Sequence, residues 1–297
     1  MLAVSRRMLA RVLVVAVSAL AVSCGDESAA GPDFVVGAGN SVESNLLAHI
    51  YSGALARTGL RVEVRERLGD RPDYLAALDE GAVSLVGEHS GELLTYLDGG
   101  SPARTPKAVT EALAGSLPEG LVVADAADGT DMRPRVLLPT VVAEQEGVRT
   151  VAALGPRCAT TPVGVAPVPA VLRAPEWPVR IAGCDVPSVE ALLGPAALRE
   201  ALLGDRIRAG VLGGPVELAP DALAGLTALT DEEYALRAQN VLPVLRKGSL
   251  DEVRLKKLNY VAGELTTAEL SEMLLRVGAG RISAAEAARD WLDQHAL

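Results

Sequence analysis

Apolar positions along the chain switch between a period near two and a period near 3.6, and this switching predicts repeated strand–helix units. Short apolar runs typical of strands occupy 33–37, 62–65 and 83–86. The helices that follow them are predicted at 44–58, 74–79 and 91–97. Because strands that alternate with helices usually pair in one direction, we expect an α/β unit with a largely parallel sheet.

A second unit with the same alternation follows a helix and an extended piece within 102–131. Further strands are predicted at 135–138, 208–212, 226–229 and 240–245, and helices at 151–154, 189–203, 250–260, 267–277 and 284–292. The last three helices are expected to pack on the first unit. No period of 20–50 residues repeats, so the pattern favours two α/β units over a solenoid.

The N-terminus has the pattern of a targeting segment. Arg6, Arg7 and Arg11 precede an apolar stretch, 12–22, that is too short to cross a bilayer comfortably. The stretch ends in Ala-Val-Ser-Cys24, which resembles a bacterial lipobox. We therefore predict a lipoprotein signal peptide at 1–23, an acylated Cys24, a tether at 24–32 and a location on the outer face of the cell membrane. An ordinary secretory signal and an uncleaved anchor are the alternatives.

Charge and cysteine content narrow the choice of partners. The chain has 28 Lys and Arg against 38 Asp and Glu, a balance that argues against nucleic acid as a partner. In an exported chain, Cys158 and Cys184 are typical of a disulfide, with a metal site or a redox pair as alternatives. Three scattered His residues without paired Asp or Cys predict no metal site, and we expect no cofactor.

Four segments, in order, carry a resemblance to a known family. They are Val35–Glu43, similar to "VGSKNFTE"; Leu78–Leu94, similar to "LxxGxIDxxPEYTGTLL"; Leu229–Val244, similar to "LxDD…YNVxPV"; and Leu258–Leu270, similar to "LNxVxxxLTTxxL". The chain thus resembles the glycine betaine/choline/carnitine-type substrate-binding proteins of bacterial ABC importers.

The resemblance implies an α/β fold of the type II periplasmic-binding-protein kind, with two lobes joined by two crossover segments. Lobe 1 is expected at 33–131 and 238–297, and lobe 2 at 132–237. It also implies a small-molecule solute bound in the cleft, an ABC permease with its ATPase as partners, and a monomer. In this fold ligands bind where strands lead into helices.

The expected ligand-binding residues lie at such turns and beside the crossovers. They are Gly39, Asn40, Ser41, Glu88, His89, Ser90, Asp131, Gly213, Gln239 and Asn240. The glycine-rich turns have an alternative interpretation as tight turns and helix caps. His89 is either a hydrogen-bonding or charged ligand contact or a solvated residue at a helix start.

The departures from the family pattern concern the ligand. Gly39 stands where the family has Lys, and Ser41, His89 and Gln239 stand where it has aromatic rings. Those rings bind quaternary ammonium groups by cation–π contacts, so glycine betaine is expected to bind weakly or not at all. Trp177 is one candidate for a replacement ring.

The sequence therefore predicts a substrate-binding lipoprotein of an ABC importer that takes a small polar solute of the osmolyte class. The alternative is a degenerate binding-protein-like lipoprotein that senses a ligand or acts as an interaction module. An enzyme is not expected, because Ser90 does not lie in a G-x-S-x-G elbow and His89 is its chain neighbour.

Overall fold

The structure is a computed structural model that describes residues 33–168, 170–171, 180–181, 184–186 and 189–297. The predicted signal peptide, Cys24, the tether and Trp177 lie outside these residues. The side chains of Cys158 and Cys184 are also outside the described part, so the predicted disulfide stays a prediction.

Strands and helices alternate in the first half of the chain, as the pattern predicts. The elements are β1 (Phe34–Gly37), α1 (Val42–Ala56), β2 (Val62–Arg65), α2 (Arg71–Asp79), β3 (Leu85–His89), α3 (Ser90–Leu97), α4 (Pro106–Ser116) and β4 (Leu121–Val123).

The second half continues the alternation and ends in helices. It contains β5 (Arg135–Pro139), α5 (Thr140–Glu146), β6 (Val163–Ala166), β7 (Arg180–Ile181), β8 (Cys184–Asp185), β9 (Val189–Ala191), α6 (Pro195–Leu203), β10 (Ala209–Leu212), β11 (Leu226–Ala228), β12 (Val241–Arg246), α7 (Glu252–Glu264), α8 (Thr267–Gly278) and α9 (Ala284–Gln294). Short 3-10 segments lie at 152–160, 216–218 and 220–223.

Ten of these strands form two five-stranded sheets, one in each of two lobes, and β7 pairs with β8 in a separate two-stranded sheet. The lobe 1 sheet has the order β2-β1-β3-β12-β4, and the lobe 2 sheet has the order β11-β5-β10-β6-β9. The first three strands pair in parallel, as expected, but each sheet is mixed because one strand, β12 in lobe 1 and β5 in lobe 2, runs antiparallel to its neighbours. The reason in lobe 1 is that β12 returns from lobe 2 and enters antiparallel to β3, with Val241 opposite His89.

Two predicted helices differ from the structure for local reasons. The segment 189–203 begins as strand β9 and becomes helical only at Pro195, because proline suits the first turn of a helix and follows Gly194 there. The short helix predicted at 151–154 is a 3-10 segment that contains Pro156, which cannot donate a helical hydrogen bond.

Lobe 1 is built around α1, which is almost fully buried and packs on the sheet, α7 and α9. Ser41 caps α1, its hydroxyl accepting a hydrogen bond from the Ser44 amide at 3.0 Å. Among the residues that the structure covers, no helix is long and apolar enough to cross a membrane. The exact lobe boundaries expected from the sequence stay predictions.

Candidate functional site

The buried polar residues of the described chain collect at one end of the lobe 1 sheet. They are Glu43, Ser44, Glu88, His89, Ser90, Glu92, Thr130, Gln239, Asn240 and Ser271. All but Ser271 lie at the start of α1, at the junction of β3 and α3, or in the segments that lead into and out of lobe 2. The carboxyl ends of β1 and β3 therefore face a compact polar cluster, as ligand sites of α/β folds do.

Glu88 is a fully enclosed charge of this cluster, with 0% exposure. Arg71 binds it with two hydrogen bonds, from Nε to Oε1 at 2.7 Å and from Nη2 to Oε2 at 3.1 Å. The Tyr74 hydroxyl donates to Oε1, and the His89 amide donates to Oε2 at 3.0 Å. Burial favours the neutral form of Arg71, but Glu88 outweighs it and raises the pKa of Arg71 above its ordinary value.

Glu92 connects this ion pair to the chain returning from lobe 2. Its Oε2 accepts a hydrogen bond from Arg71 Nη2 at 2.9 Å, and its amide donates to Gln239 Oε1 at 2.8 Å. Burial raises the pKa of Glu92, while His89 and Arg71 oppose the shift. Arg71 thus binds two carboxylates, one near the end of β3 and one in the first turn of α3.

A second buried pair joins β3 to the start of α1. His89 Nε2 lies 2.8 Å from Glu43 Oε1, and the two residues are 1% and 0% exposed. Burial lowers the pKa of His89, but the Glu43 carboxylate outweighs it, so the pKa is raised overall. The imidazole is therefore favoured as a cation, paired with Glu43 rather than with solvent.

Glu43 also lies at one of the contacts between the two lobes. Its amide donates a hydrogen bond to the Ala170 carbonyl of lobe 2 at 3.0 Å. The turn before it is fixed by Ser44, whose Oγ accepts from the Gly39 amide at 2.7 Å. The start of α1 therefore carries both the His89 partner and a contact between lobes.

The structure gives a steric reason for the glycine at position 39. A Cβ there would lie 2.9 Å from Tyr74 Cδ1 and 3.0 Å from the Gly69 carbonyl oxygen. The Tyr74 ring that binds Glu88 thus occupies the space that a longer side chain would need. The family's Lys at this position is incompatible with this arrangement of Tyr74.

The segment returning from lobe 2 is bound tightly to α3 and to the first crossover. The Asn240 amide donates to Ser90 Oγ at 3.0 Å, and its Nδ2 donates to the Thr130 carbonyl at 2.6 Å. Gly91 allows this approach, because a Cβ there would lie 2.2 Å from the Ala238 carbonyl oxygen. Asn240 and Ser90 therefore hold the backbone around the site.

The structure brings most of the predicted site residues together. Glu88, His89, Ser90, Gln239, Asn240 and Gly39 belong to the polar cluster, while Asn40 is exposed and Ser41 is half-buried beside it. Asp131 instead pairs with Arg133 and Arg135 in the first crossover. Gly213 ends β10 in lobe 2, where its amide donates to the Ala166 carbonyl at 2.8 Å.

The interpretation of His89 as a solvated helix-start residue is wrong, because Glu43 holds its ring in the interior. Sequence reasoning did not single out Glu43, Arg71 or Tyr74. The signal for Glu43 was its place at the end of the first family-like segment. Arg71 and Tyr74 follow a loop without such a segment, and only the tertiary fold brings them to Glu88.

The aromatic residues lie mostly elsewhere. Tyr51 is buried in the core and Tyr96 is half exposed. Tyr74 is the ring that the described structure places against the polar cluster, and its hydroxyl is used by Glu88. Within the described ranges, no group of three or more His, Cys, Asp and Glu residues is arranged to hold a metal ion.

Comparison with known families gives a match over most of the chain. The family described as the substrate-binding domain of ABC-type glycine betaine transport systems matches residues 32–294. Comparison with curated proteins gives no match.

Solved structures show the same fold. A protein described as a glycine betaine/carnitine/choline ABC transporter is 17% identical, with a TM-score of 0.65 over 88% of this chain and 98% of that one. Apo YehZ from Escherichia coli is 18% identical, with a TM-score of 0.62 over 89% and 99%. Lactococcal OpuAC, closed on glycine betaine, is 13% identical, with a TM-score of 0.51 over 88% and 95%. The predicted two-lobed periplasmic-binding-protein fold is confirmed.

The buried His89–Glu43 pair predicts a pH-dependent stability. Because the folded-state pKa of His89 lies above its ordinary 6.5, its contribution is complete below pH 6.5 and is lost as pH rises through the raised value. Replacing His89 with Gln leaves the buried Glu43 carboxylate without the imidazolium, which costs about 3–5 kcal/mol. Urea unfolding at a series of pH values should show that His89→Gln loses the most unfolding free energy near pH 6 and less near pH 9.

His49→Gln is the matched control, since His49 pairs with Glu66 at 3.2 Å near the surface. That variant should lose less than about 1 kcal/mol. A loss in His89→Gln that stays constant from pH 6 to pH 9 would contradict the assignment of an imidazolium to His89.

Proposed function

Because the chain belongs to the family of substrate-binding domains of ABC-type glycine betaine transport systems, we propose that it is an extracytoplasmic lipoprotein that binds a small polar solute in its inter-lobe cleft and delivers it to an ABC permease. The resemblance read from the four sequence segments is confirmed. Members of this family are binding proteins and not themselves enzymes, and substrate-binding proteins of ABC importers are extracytoplasmic. The single observation that supports the proposal best is the match over residues 32–294.

The chemistry of the polar cluster supports a solute held by hydrogen bonds and charge. The residues around the strand ends are Glu, His, Gln, Asn, Ser and Arg. Hydrogen bonds to charged groups are stronger than neutral ones and orient a polar ligand. We therefore infer a solute with hydrogen-bonding groups, within the osmolyte class that the family suggests.

Glycine betaine and choline should bind weakly or not at all. Each lost cation–π contact weakens binding by about 0.5–2 kcal/mol, so the loss of two or three weakens affinity by roughly one to four decades. Calorimetric titration of the purified protein with each compound measures this directly. Sub-micromolar affinity for either one would show that this prediction is wrong.

A thermal-shift screen with betaines, choline, amino acids and sugars tests the binding function itself. A solute at 100 times its Kd stabilises the folded state by about 2.7 kcal/mol, which raises Tm by several degrees. Asn40→Ala should reduce the shift, because Asn40 is exposed at the turn before α1. Gln145→Ala, an exposed amide on α5, is the control and should leave the shift unchanged.

The absence of a shift with every compound would favour the second candidate, a degenerate binding-protein-like lipoprotein that senses a ligand or acts as an interaction module. The observation that motivates it is that the buried carboxylates and the imidazole are bound to the protein's own groups. In that case the chain would have the fold of a transport protein without a transport function.

The lipid anchor rests on the lipobox-like Ala-Val-Ser-Cys24 at the end of the signal segment. A protein acylated at Cys24 partitions into the detergent phase when it is expressed with its full signal. Cys24→Ala should move the protein to the aqueous phase or leave it with an uncleaved signal. Wild-type protein found in the aqueous phase would contradict the anchor.

The soluble domain is expected to be a monomer that docks on the permease.

The disulfide is the remaining proposal for the cysteines. Strand β8, which contains Cys184, lies against the 3-10 segment 152–160, which contains Cys158. Closing a loop of about 25 residues contributes about 3 kcal/mol in the chain-entropy model. Mass spectrometry of non-reduced peptides should find the two cysteines joined; two alkylatable thiols would be the opposite result.

A further inference from the structure

Two chain segments connect the lobes. Each segment is bound to lobe 1 at one end and to lobe 2 at the other. The first runs from the end of β4 to the start of β5, and the second from the end of β11 to the start of β12. Any rotation of one lobe against the other must change backbone angles within these two segments. Their hydrogen bonds therefore show where the pivot lies.

In the first segment the pivot is confined to three residues. The Asp131 amide donates to Thr267 Oγ1 at 2.7 Å, at the start of α8, which packs on α1 and α9 in lobe 1. Arg135 already begins β5 of lobe 2. In this segment, the backbone rotations that change the angle between the lobes are therefore confined to residues 132–134.

In the second segment the pivot is confined to four residues, 231–234. Thr230 is bound to lobe 2, its amide donating to the Arg149 carbonyl at 3.0 Å and its carbonyl accepting from the Val151 amide at 2.9 Å. The Ala235 carbonyl is bound to lobe 1, accepting from Arg104 Nη1 at 2.7 Å. Between them, Tyr234 has a φ of 52°, a left-handed conformation that is uncommon for a bulky residue and marks local strain.

The side chain of Arg133 lies across both pivots. Its Nε and Nη2 each donate to the Asp131 carboxylate at 2.8 Å. Its Nη1 donates to the carbonyl oxygen of Asp231 at 2.9 Å and to Asp231 Oδ2 at 3.0 Å. The guanidinium carbon lies 4.6 Å from the centre of the Tyr234 ring. Arg133, Asp131 and Asp231 are called the crossover cluster below.

Asp231 adds a second constraint within its own segment. Its carboxylate also accepts hydrogen bonds from the amides of Ala235 at 2.8 Å and Leu236 at 2.9 Å. Arg133 therefore holds a loop that already connects the residues bound to lobe 2 with those bound to lobe 1. The Arg133 side chain is only 13% exposed, so its guanidinium relies on these two carboxylates for its charge partners, while Asp131 also pairs with Arg135.

We propose that Arg133 fixes the angle between the lobes by binding the two connecting segments to each other. The planar guanidinium satisfies two carboxylates and a carbonyl in one geometry, and a Lys ammonium lacks that fork. Rotation at 132–134 and 231–234 pulls the Asp131 and Asp231 groups apart and breaks these bonds. The cluster thus holds the arrangement in which the Glu43 amide meets the Ala170 carbonyl of lobe 2.

The crossover cluster is also directly connected to the polar cluster of lobe 1. The amide of Met132, next to Arg133, donates to the Gln239 carbonyl at 2.9 Å. The side-chain Oε1 of Gln239 in turn accepts a hydrogen bond from the Glu92 amide at 2.8 Å. A change in the angle between the lobes is therefore expected to move groups at the strand ends. The lobe angle and the polar cluster are thus energetically coupled.

The test measures the distance between the lobes in the full-length protein without any solute, so its result does not depend on the proposed transport function. Spin labels on noncanonical residues at Lys247 of lobe 1 and Leu193 of lobe 2, both exposed, leave the native cysteines unlabelled. Double electron–electron resonance then gives the distance distribution. Arg133→Gln should broaden it and add longer distances, and Arg133→Lys should give an intermediate broadening.

Arg206→Gln is the matched control, because Arg206 forms an exposed ion pair with Glu190 within lobe 2. Its distribution should equal that of the wild type. If Arg133→Gln does not fold, as judged by circular dichroism, the decision rests on Arg133→Lys. Wild-type distributions in the folded Arg133 variants would overturn the proposal.

Discussion

A carboxylate taken fully out of water must be paired, and the pairing of Glu88 is the constraint on which the site depends. Moving an ion into the protein interior costs several kcal/mol unless charge and hydrogen bonds compensate. Arg71 and Tyr74 of α2 and the His89 amide of β3 provide this compensation. The junction of β3 and α3 is therefore fixed to the start of α2.

Two glycines and a second buried carboxylate complete the surroundings of this pair. Gly39 leaves room for the Tyr74 ring beside Glu88, and Gly91 leaves room for the Ala238 carbonyl beside α3. Glu43 compensates the His89 ring and at the same time contacts lobe 2 through its amide. The charged groups of the polar cluster are thus bound to one another, which fixes the positions of their side chains at the strand ends of lobe 1.

Much of the fold was predictable because local signals and tertiary structure agree. The strand at 62–65 was predicted with the bounds of β2, and Thr266 and Ser283 cap α8 and α9 through capping boxes that sequence patterns reflect. Strand β9 was missed because Val189 and Leu192 also fit a helical spacing. The direction of β12 depends on a return from lobe 2, which no local pattern encodes.

The site was predictable only where it coincides with family-like segments. Glu88, His89 and Gln239 were found through these segments, but their contacts were not. Arg71 lies 17 residues from Glu88 and Glu43 lies 46 residues from His89, so only the packed structure makes them partners. Asp131 was expected to contact the ligand, yet the residue two positions along, Arg133, binds its carboxylate.

Arg71 and Glu88 act as one buried pair, and a double-mutant cycle measures the coupling between them. The variants are Arg71→Met, Glu88→Gln and their combination, compared by urea unfolding. Arg71→Met should cost about 3–5 kcal/mol, because it leaves Glu88 buried without its cationic partner. Glu88→Gln should cost less, because Arg71 keeps its hydrogen bond to Glu92. The double variant should be at least about 2 kcal/mol more stable than the sum of the two single losses implies. If the loss in the double variant equals the sum of the two single losses within about 0.5 kcal/mol, Arg71 and Glu88 do not act as a pair.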